Sequence, residues 1–361
     1  MSERPPGPLR RGWTTGACAA AAAAAAFAAV LTGRFADPVT VVLPGGRRPS
    51  FALAHRALLP DGAAAGVIKD AGDDPDVTHG ALVLATVRPR PAGTGVAFRA
   101  GEGVGTVTRP GLVLPAGEPA INPAPRAMIR DSLAALAEAH GTGADAEVEI
   151  AVPGGAALAE RTLNPRLGIV GGLSILGTTG VVVPYSCSAW IQTIHRGVDV
   201  AHAAGVAHAA ASTGAASEAA ARDLYGLPEV ALLDMGDFAG GLLKYLRKRP
   251  IPRLTLAGGF AKMAKLAAGH LDLHSSRSRV DLPWLGGLMR ELGAPPALAD
   301  RAAGANTARE VLDLATAAGL PLGDAVAARA RAVAAPVAGD AVSVDVLVVD
   351  RDGRPCGVSR P

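Results

Sequence analysis

Hydrophobic and polar positions follow two different rhythms along this chain, and the change falls near Pro184. Before it, short apolar runs are separated by glycine and proline, which is typical of strands joined by turns. The first apolar run, from Ala17 to Val30, is rich in alanine and favours a helix instead, with Thr14 and Thr15 where its N-cap belongs. A second helix is predicted from Pro123 to His140, because proline is favoured in the first turn of a helix.

The strands predicted in this first half share apolar alternation and flanking turn residues. They run from Val39 to Leu43, Ser50 to Ala54, Ala64 to Ile68, Ala81 to Val87, Gly95 to Ala100 and Ala146 to Val152. A strand-rich segment with two helices predicts sheet and helix in layers, so we expect an N-terminal α+β domain with glycine-rich segments over residues 1–185.

From Ser188 to Ala268 predicted helices and strands alternate strictly, and three further helices then precede a last apolar strand. The helices run from Ser188 to Ala204, Ser217 to Tyr225, Phe238 to Arg249, Phe260 to Ala268, Leu285 to Leu292, Asn306 to Ala318 and Gly323 to Ala334, and the strands from Val206 to Ser212, Val230 to Asp234, Leu254 to Ala257 and Ser343 to Val349. Such alternation is typical of a doubly wound parallel sheet. We therefore expect an α/β protein in which a Rossmann-like parallel-sheet domain, residues 186–361, follows the layered domain.

Composition narrows the class of protein. Of 361 residues, 49% are hydrophobic and 19% are charged, so a folded protein with a sizeable core is expected. Aromatic residues make up 3% and the net charge is only +3, which disfavours a nucleic-acid partner. The three cysteines lie far apart, which fits a reducing cytoplasm. The run from Ala17 to Val30 is shorter than the roughly 20 apolar residues of a membrane span, so no membrane span is predicted. Its alanines and the N-cap threonines Thr14 and Thr15 favour a helix over a signal peptide.

Small, hydroxyl and carboxylate residues follow three successive predicted strands. They are Thr213, Gly214, Asp234, Gly236, Asp237 and Gly258. Loops at the carboxyl ends of parallel strands bind ligands, and an aspartate there can hold ribose hydroxyls, so these residues suit a nucleoside. The alternative is that they are only turns and helix caps, which use the same residue types.

Two other segments are dense in glycine. The longer one, from Asn164 to Gly180, carries Arg166, Thr178 and Thr179 among apolar residues and allows the backbone to approach a ligand or another strand closely. A purely structural segment crossing between domains is the alternative. The shorter one, from Gly101 to Thr108, favours a hairpin over a phosphate-binding loop.

An acidic stretch from Asp70 to His79 contains four aspartates and a histidine. It can be a turn held by aspartate caps, or an acid-base or substrate-orienting site. The spacing of a calcium loop is missing, and His270 and His274 lack a third ligand, so no metal site is predicted.

Taken in order, these segments and several others resemble one family. The matching segments are Leu9 to Ala19, Asp70 to Gly80, Gly101 to Thr108, Gly117 to Pro123, Asn164 to Pro184, Thr213-Gly214 with Ser217-Glu218, Gly236 to Phe238, and Lys262 to His274 with Ser275. The chain resembles the CbiD family, the cobalt-precorrin-5B C1-methyltransferases of oxygen-independent cobalamin (vitamin B12) biosynthesis. The resemblance implies a methyltransferase that uses S-adenosylmethionine, a cobalt-bearing tetrapyrrole as acceptor, cobalt-precorrin-6A as product, and a two-domain fold unlike that of the common precorrin methyltransferases.

Roles for particular residues follow from this resemblance. The acceptor carries several carboxylates, for which we expect Arg166, Thr178, Thr179, Lys262 and Lys265 as substrate-binding residues, with Lys69, Lys244 and Arg277 as further cations. Asp73, Asp74 and His79 are candidate catalytic residues if ring atom C1 must lose a proton or charge during methylation. Cobalt arrives inside the substrate. We expect Arg166 to face the donor loops across a cleft between domains, with a structural arginine as the alternative.

Two rival functions remain open at this point. One is a carrier of tetrapyrroles or nucleotides without enzymatic activity. The other is a small-molecule phosphotransferase that uses Gly101 to Thr108 as its phosphate loop, although the P-loop lysine is missing. The sequence does not decide whether the chain forms a homo-oligomer.

Overall fold

The structure is a computed structural model that describes residues 7–361, so the first six residues of the predicted N-terminal domain lie outside it. It is a mixed α/β protein of helices and mixed sheets. The described residues form two compact units, with the division between Ser186 and Cys187. Each unit has its own hydrophobic core.

The first unit contains a five-stranded sheet, short two-stranded ladders and three helices. Its elements are β1 (Gly12–Trp13), α1 (Thr15–Thr32), β2 (Val39–Thr40), β3 (Ser50–Phe51), β4 (His55–Leu59), β5 (Gly62–Ile68), β6 (Leu82–Pro89), β7 (Val96–Ala100), β8 (Thr106–Val107), α2 (Pro123–Ala139), β9 (Ala146–Ala151), α3 (Gly155–Ala159), β10 (Ile169–Val170) and β11 (Val181–Val182). The strand order is β4-β5-β6-β9-β7, antiparallel except for the β7–β9 pair.

Helix α1 is the centre of the first core. The hydroxyl of Thr14 accepts a hydrogen bond from the N–H of Ala17 and caps the helix, and Gly33 ends it in the left-handed region with φ of 70°. Its alanines are buried against β5 and β6 on one side and α2 on the other. Alanine allows this close approach because its side chain is small, and burial on all sides explains the continuous apolar run.

The second unit has a sheet covered by helices on both faces. Its elements are α4 (Cys187–Ala203), β12 (His208–Ser212), α5 (Ala215–Tyr225), β13 (Leu232–Asp234), α6 (Ala239–Leu246), β14 (Arg253–Gly259), α7 (Phe260–Ala267), α8 (Leu282–Glu291), α9 (Pro296–Ala303), α10 (Ala308–Ala317), α11 (Leu322–Ala338), β15 (Ser343–Val349) and β16 (Pro355–Ser359). The strand order is β13-β12-β14-β15-β16, and β12 to β15 pair in parallel as the alternation predicts.

Several local predictions are wrong for identifiable reasons. The strand predicted from Val230 begins only at Leu232, because a 3₁₀ turn over Glu229–Ala231 follows Pro228. Helix α9, strand β4 and the antiparallel edge strand β16 are missed, since each is short and lacks a clear apolar period. The hairpin predicted within Gly101 to Thr108 does not form there.

That segment pairs instead with a distant part of the chain. Strand β8 is antiparallel to β10, so the two glycine-dense segments lie against each other. A Cβ at Gly103 would overlap the carbonyl oxygen of Val152, and one at Gly172 would overlap that of Gly103. The glycines therefore allow backbone to pack directly on backbone.

Candidate functional site

Three loops lie side by side at the carboxyl edge of the second sheet because their strands are parallel. Ser212 ends β12 and is in register with Asp234 at the end of β13 and with Ala257 in β14. Thr213 and Gly258 come one residue later on two adjacent strands, and a Cβ at Gly258 would lie 3.0 Å from Cγ2 of Thr213. The structure thus brings together the strand ends at which the sequence predicts a nucleoside site.

The turn after β13 is bonded to the end of β12. The N–H groups of Met235 and Gly236 both donate to the carbonyl oxygen of Ser212, at 3.0 and 3.2 Å. Gly236 has φ of 52°, in the left-handed region that favours glycine, and a Cβ there would lie 3.3 Å from the indole nitrogen of Trp190. These contacts hold the backbone of the loop that carries Asp237.

Lys262, in the first turn of α7, connects two of these loops. Its Nζ donates a hydrogen bond to the carbonyl oxygen of Thr213 at 3.0 Å and forms an ion pair with Oδ1 of Asp237, also at 3.0 Å. The side chain of Asp237 is only 16% exposed. A carboxylate in that position needs a counter-charge, and Lys262 supplies it.

Lys265 lies one turn further along α7 and is buried. Its Nζ donates to the carbonyl oxygen of Leu273 at 2.9 Å. Burial lowers the pKa of this ammonium, and the nearby carboxylate of Asp237 opposes the shift only in part. Lys265 therefore holds the segment after α7 in place beside the carboxyl edge.

A cavity of about 460 Å³ opens at this edge, and we call it the carboxyl-edge pocket. Its lining comes from three strand ends and the two helices α7 and α10, namely Thr213, Gly259, Phe260, Ala261, Lys262, Arg309, Leu312, Asp313, Val349, Asp350, Arg351 and Asp352. The volume lies within the range of small-molecule and cofactor sites, roughly 300 to 1,000 Å³.

Seven of the twelve lining residues come from the end of β15, the turn after it and α10, and the sequence predicts none of them as site residues. The turn Val349 to Asp352 follows β15, which neighbours β14 in parallel register. This turn carries Asp350 and is followed by Gly353, residue types that also occur at the ends of β12, β13 and β14. The expectation that ligands bind at the carboxyl ends of parallel strands could therefore also have been applied to β15. Arg309 and Asp313 come from α10, and no local pattern indicates that this helix reaches the pocket.

The acidic stretch of the first unit is held by its own hydrogen bonds. Oδ2 of Asp73 accepts the N–H of Arg10 at 2.6 Å, Oδ1 of Asp74 accepts the N–H of Tyr185 at 2.8 Å, and Nδ1 of His79 accepts the N–H of Ala71 at 3.1 Å. These bonds agree with the alternative of a turn formed by aspartate caps. The catalytic role of Asp73, Asp74 and His79 stays a prediction.

Two ion pairs flank this stretch. Arg10 forms a two-pronged pair with Asp70, and its hydrogen bonds lower the pKa of that carboxyl to about 2. Lys69, whose side chain is 1% exposed, donates to Oδ2 of Asp76 at 2.7 Å. Burial by itself would raise the pKa of Asp76, but the charge and hydrogen bond of Lys69, with hydrogen bonds from Thr78, outweigh it and lower the pKa.

The residues predicted to bind the acceptor are divided between the two units. In the first unit Thr178 is exposed, and the hydroxyl of Thr179 donates to the carbonyl oxygen of Val181 and accepts the N–H of the same residue. The backbone carbonyl of Arg166 accepts from Arg109 at 3.5 Å. Lys262 and Lys265 belong to the second unit.

The backbone N–H groups of the segment from Gly101 to Thr108 show whether it can bind a phosphate. The N–H groups of Gly105, Val107 and Thr108 donate to carbonyl oxygens of Leu173, Glu118 and Gly168, at 2.8 to 3.0 Å. A phosphate cradle needs such N–H groups to point at the ligand. The phosphotransferase alternative is therefore wrong for this segment.

Within residues 7–361 no group of three or more histidine, cysteine, aspartate or glutamate side chains is placed to hold a metal ion. In the same range, one helix, α1, is long and apolar enough to cross a membrane by length and composition, and 78% of it is buried inside the protein.

Comparison with known proteins gives a consistent family. The CbiD family model matches residues 2–184, and the model of the CbiD C-terminal domain matches residues 272–360. Similar relatives are proteins named cobalt-precorrin-5B C(1)-methyltransferase. The one from Paramagnetospirillum magneticum is 62% identical over 97% of this chain and 98% of its own length. The corresponding figures are 63%, 97% and 97% for Rhodospirillum rubrum, and 61%, 97% and 93% for a Bradyrhizobium species.

Among solved structures, a cobalamin biosynthesis protein (cbiD) from Archaeoglobus fulgidus is 28% identical to this chain. The match covers 74% of this chain and 83% of that one, with a TM-score of 0.41. The family match and the near-full-length identity to three relatives lead to one conclusion: the chain belongs to the CbiD family.

Proposed function

We propose that this chain transfers a methyl group from S-adenosylmethionine to C1 of cobalt-precorrin-5B and so forms cobalt-precorrin-6A in cobalamin biosynthesis. The observation that carries the proposal is the identity of 61–63% over nearly the whole chain to relatives named for this methylation. The cobalt ion belongs to the substrate.

We further propose that the second unit is Rossmann-like and holds the donor at its topological switch point. The order β13-β12-β14-β15 supports this. The connection after β12 runs through α5 on one face, whereas the connection after β14 begins with α7 on the other face. Neighbouring loops that leave in opposite directions open a crevice between them, and ligands of open α/β sheets bind there. Thr213 and Gly259 line the pocket at that place.

The residues around the crevice fit a nucleoside donor. The pocket volume of about 460 Å³ is sufficient, and its lining includes charged groups of both signs. We propose that Thr213, Gly214, Gly236 and Gly258 let the backbone approach the donor, and that the carboxylates of Asp234 and Asp237 hold its ribose hydroxyls. The ion pair with Lys262 keeps the side chain of Asp237 in one position.

When bound, S-adenosylmethionine supplies a sulfonium-activated methyl group for an in-line displacement. The chain's contribution is to hold the acceptor carbon in line, and such orientation can supply roughly 7 to 11 kcal/mol of the barrier. We propose that Arg166, Thr178, Thr179, Lys262 and Lys265 bind the acceptor's polar groups and carboxylates. Asp73, Asp74 or His79 would accept a proton at C1, a contribution of about 10² to 10⁴ in rate.

The test is incubation of the purified chain with S-adenosylmethionine carrying a labelled methyl group and with cobalt-precorrin-5B. We expect label in the tetrapyrrole and a product heavier by one methyl group, measured by mass spectrometry. Calorimetry with S-adenosylhomocysteine then separates the enzyme from the carrier alternative. A tetrapyrrole carrier binds the tetrapyrrole without this nucleoside, and a nucleotide carrier binds the nucleoside without the tetrapyrrole. Either result, together with no labelled product, would refute the proposal.

A further inference from the structure

Asp350 follows the last residue of β15 and lines the carboxyl-edge pocket. One of its carboxylate oxygens, Oδ1, accepts the N–H groups of Asp352 and Arg354 at 2.8 and 2.9 Å. The backbone of the same turn is closed by the N–H of Asp350, which donates to the carbonyl oxygen of Arg354 at 2.9 Å. These bonds orient the carboxylate before any ligand binds, and such preorganisation favours binding because little entropy is lost.

Charge pairing within the pocket singles out this carboxylate. Three aspartates line the pocket, and two of them have a cationic neighbour. Asp313 pairs with Arg309 and Asp352 pairs with Arg351, each at 3.4 Å. Asp350 is half-buried and has no cationic partner among residues 7–361. A partly desolvated carboxylate in a cavity is stabilised by a cation that can also donate hydrogen bonds.

We propose that Asp350 binds the α-ammonium group of the donor's amino-acid part. The inference rests on the proposed function, because it takes S-adenosylmethionine as the occupant of the pocket. That molecule carries two cationic groups, a sulfonium and an ammonium, and only the ammonium has N–H groups to donate. The second carboxylate oxygen of Asp350 accepts no hydrogen bond from any part of the chain that the structure describes. It is therefore the acceptor for the ammonium.

Three available nucleosides distinguish this contact from its alternatives. S-adenosylmethionine has both cationic groups, S-adenosylhomocysteine has the ammonium but no sulfonium, and 5′-methylthioadenosine has neither while keeping the adenosine. Affinities of the three, measured by calorimetry on the full chain, report separately on the ammonium, the sulfonium and the ribose.

The decisive variant is Asp350→Asn. The amide oxygen of asparagine can still accept the two N–H groups of the turn, so we expect an unchanged Tm, while the second oxygen becomes an N–H₂ group. We expect affinity for S-adenosylmethionine and S-adenosylhomocysteine to fall roughly 10- to 150-fold, and affinity for 5′-methylthioadenosine to stay within twofold. Asp340→Asn, at an exposed position outside the pocket, is the matched control and should change none of the three affinities.

Other outcomes overturn the assignment in different ways. If Asp350→Asn lowers the affinity for 5′-methylthioadenosine as much as the affinities for the other two nucleosides, the carboxylate contacts the ribose. If only S-adenosylmethionine is affected, it faces the sulfonium, and if nothing changes, it does not bind the donor. In all three cases the proposed methyl transfer survives. If the wild-type chain binds neither S-adenosylmethionine nor S-adenosylhomocysteine, the donor assignment falls and this inference falls with it.

Discussion

The acidic stretch of the first unit and the carboxyl-edge pocket of the second are both rich in charged side chains, and they differ in what those side chains contact. In the acidic stretch Asp70 is held by Arg10 and Asp76 by Lys69, and the other carboxylates accept backbone N–H groups. In the pocket, Asp350 has only backbone partners, on one of its two oxygens. Within the part of the chain that the structure describes, Asp73 and Asp74 also accept backbone N–H groups on one oxygen only. What distinguishes Asp350 is that its carboxylate lines a cavity and has no cationic partner among residues 7–361.

The glycines of the two units also differ in what surrounds them. In the first unit Gly103 and Gly172 are packed backbone to backbone, so a side chain there would overlap backbone atoms. In the second unit a Cβ at Gly214 or Gly259 would meet nothing within 4 Å. Glycine density in the sequence is the same signal in both places, and only the tertiary structure tells which glycines serve packing and which border open space.

The largest expected effect comes from a pair of variants that uses this contrast. Gly103 has φ of 71° and its missing Cβ position is filled by the carbonyl of Val152, so Gly103→Ala should destabilise the protein by roughly 2 to 6 kcal/mol. Gly259→Ala should cost less than about 1 kcal/mol, because only the N-cap preference of glycine is lost. Denaturant unfolding of both variants measures the difference.

Donor binding should respond to the second variant. A methyl group at Gly259 takes space in the carboxyl-edge pocket, so we expect the affinity for S-adenosylhomocysteine to fall roughly tenfold. In the unfolding comparison, an equal loss of unfolding free energy in Gly103→Ala and Gly259→Ala would show that packed and open glycines do not differ.

The next effect concerns the buried ion pair of the first unit. Lys69→Met leaves the carboxylate of Asp76 largely buried without its counter-charge. Breaking a buried pair by removing one partner costs roughly 3 to 5 kcal/mol, and we expect about 3 because Asp76 is 26% exposed. Urea unfolding of this variant is compared with that of Lys248→Met, an exposed lysine for which a change below about 0.5 kcal/mol is expected. A Lys69→Met variant as stable as the control would mean that the pair is solvated rather than structural.

A third variant tests the loops that Lys262 connects. Asp237→Asn keeps the shape of the side chain but removes its charge, so the proposed ribose contact loses its charge-assisted hydrogen bond. We expect the affinity for S-adenosylhomocysteine to drop roughly 10- to 150-fold, with calorimetry as the measurement. Asp223→Asn, on the exposed surface of α5, is the control. Unchanged affinity in a folded Asp237→Asn variant would remove this residue from the donor site.

Local signals in the sequence predict elements whose cause is local. Thr14 and the alanines after it give α1 in its predicted place, and alternation of helices with strands gives the parallel pairing of β12 to β15. Strand Ser343–Val349 has the predicted limits because it is a continuous apolar run between turn residues.

What the sequence does not predict depends on contacts between distant residues. The burial of Lys69 requires Asp76 to approach it across a turn, and no residue pattern states that a lysine is 1% exposed. The pairing of Thr106–Val107 with Ile169–Val170 joins segments about sixty residues apart, and it forms instead of the local hairpin that the sequence favours. Asp350 belongs to the pocket only because β15 is placed beside β14.

The smallest expected effect is a pH dependence in the first unit. Hydrogen bonds from Arg10 lower the pKa of Asp70 to about 2, against about 4 for an unperturbed aspartate. A carboxyl whose pKa is lowered by folding stabilises the protein above its unfolded pKa, and this contribution disappears as the pH falls from about 4 to 2. The difference in Tm between wild type and Arg10→Gln should therefore be constant above about pH 5 and shrink towards zero near pH 2. It should be small, because both side chains are exposed and salt screens them. Arg47→Gln, an exposed arginine without an ion pair among residues 7–361, should show no such narrowing. A difference between wild type and Arg10→Gln that stays constant down to pH 2 would show that the side chain of Arg10 stabilises the protein through contacts other than its ion pair with Asp70.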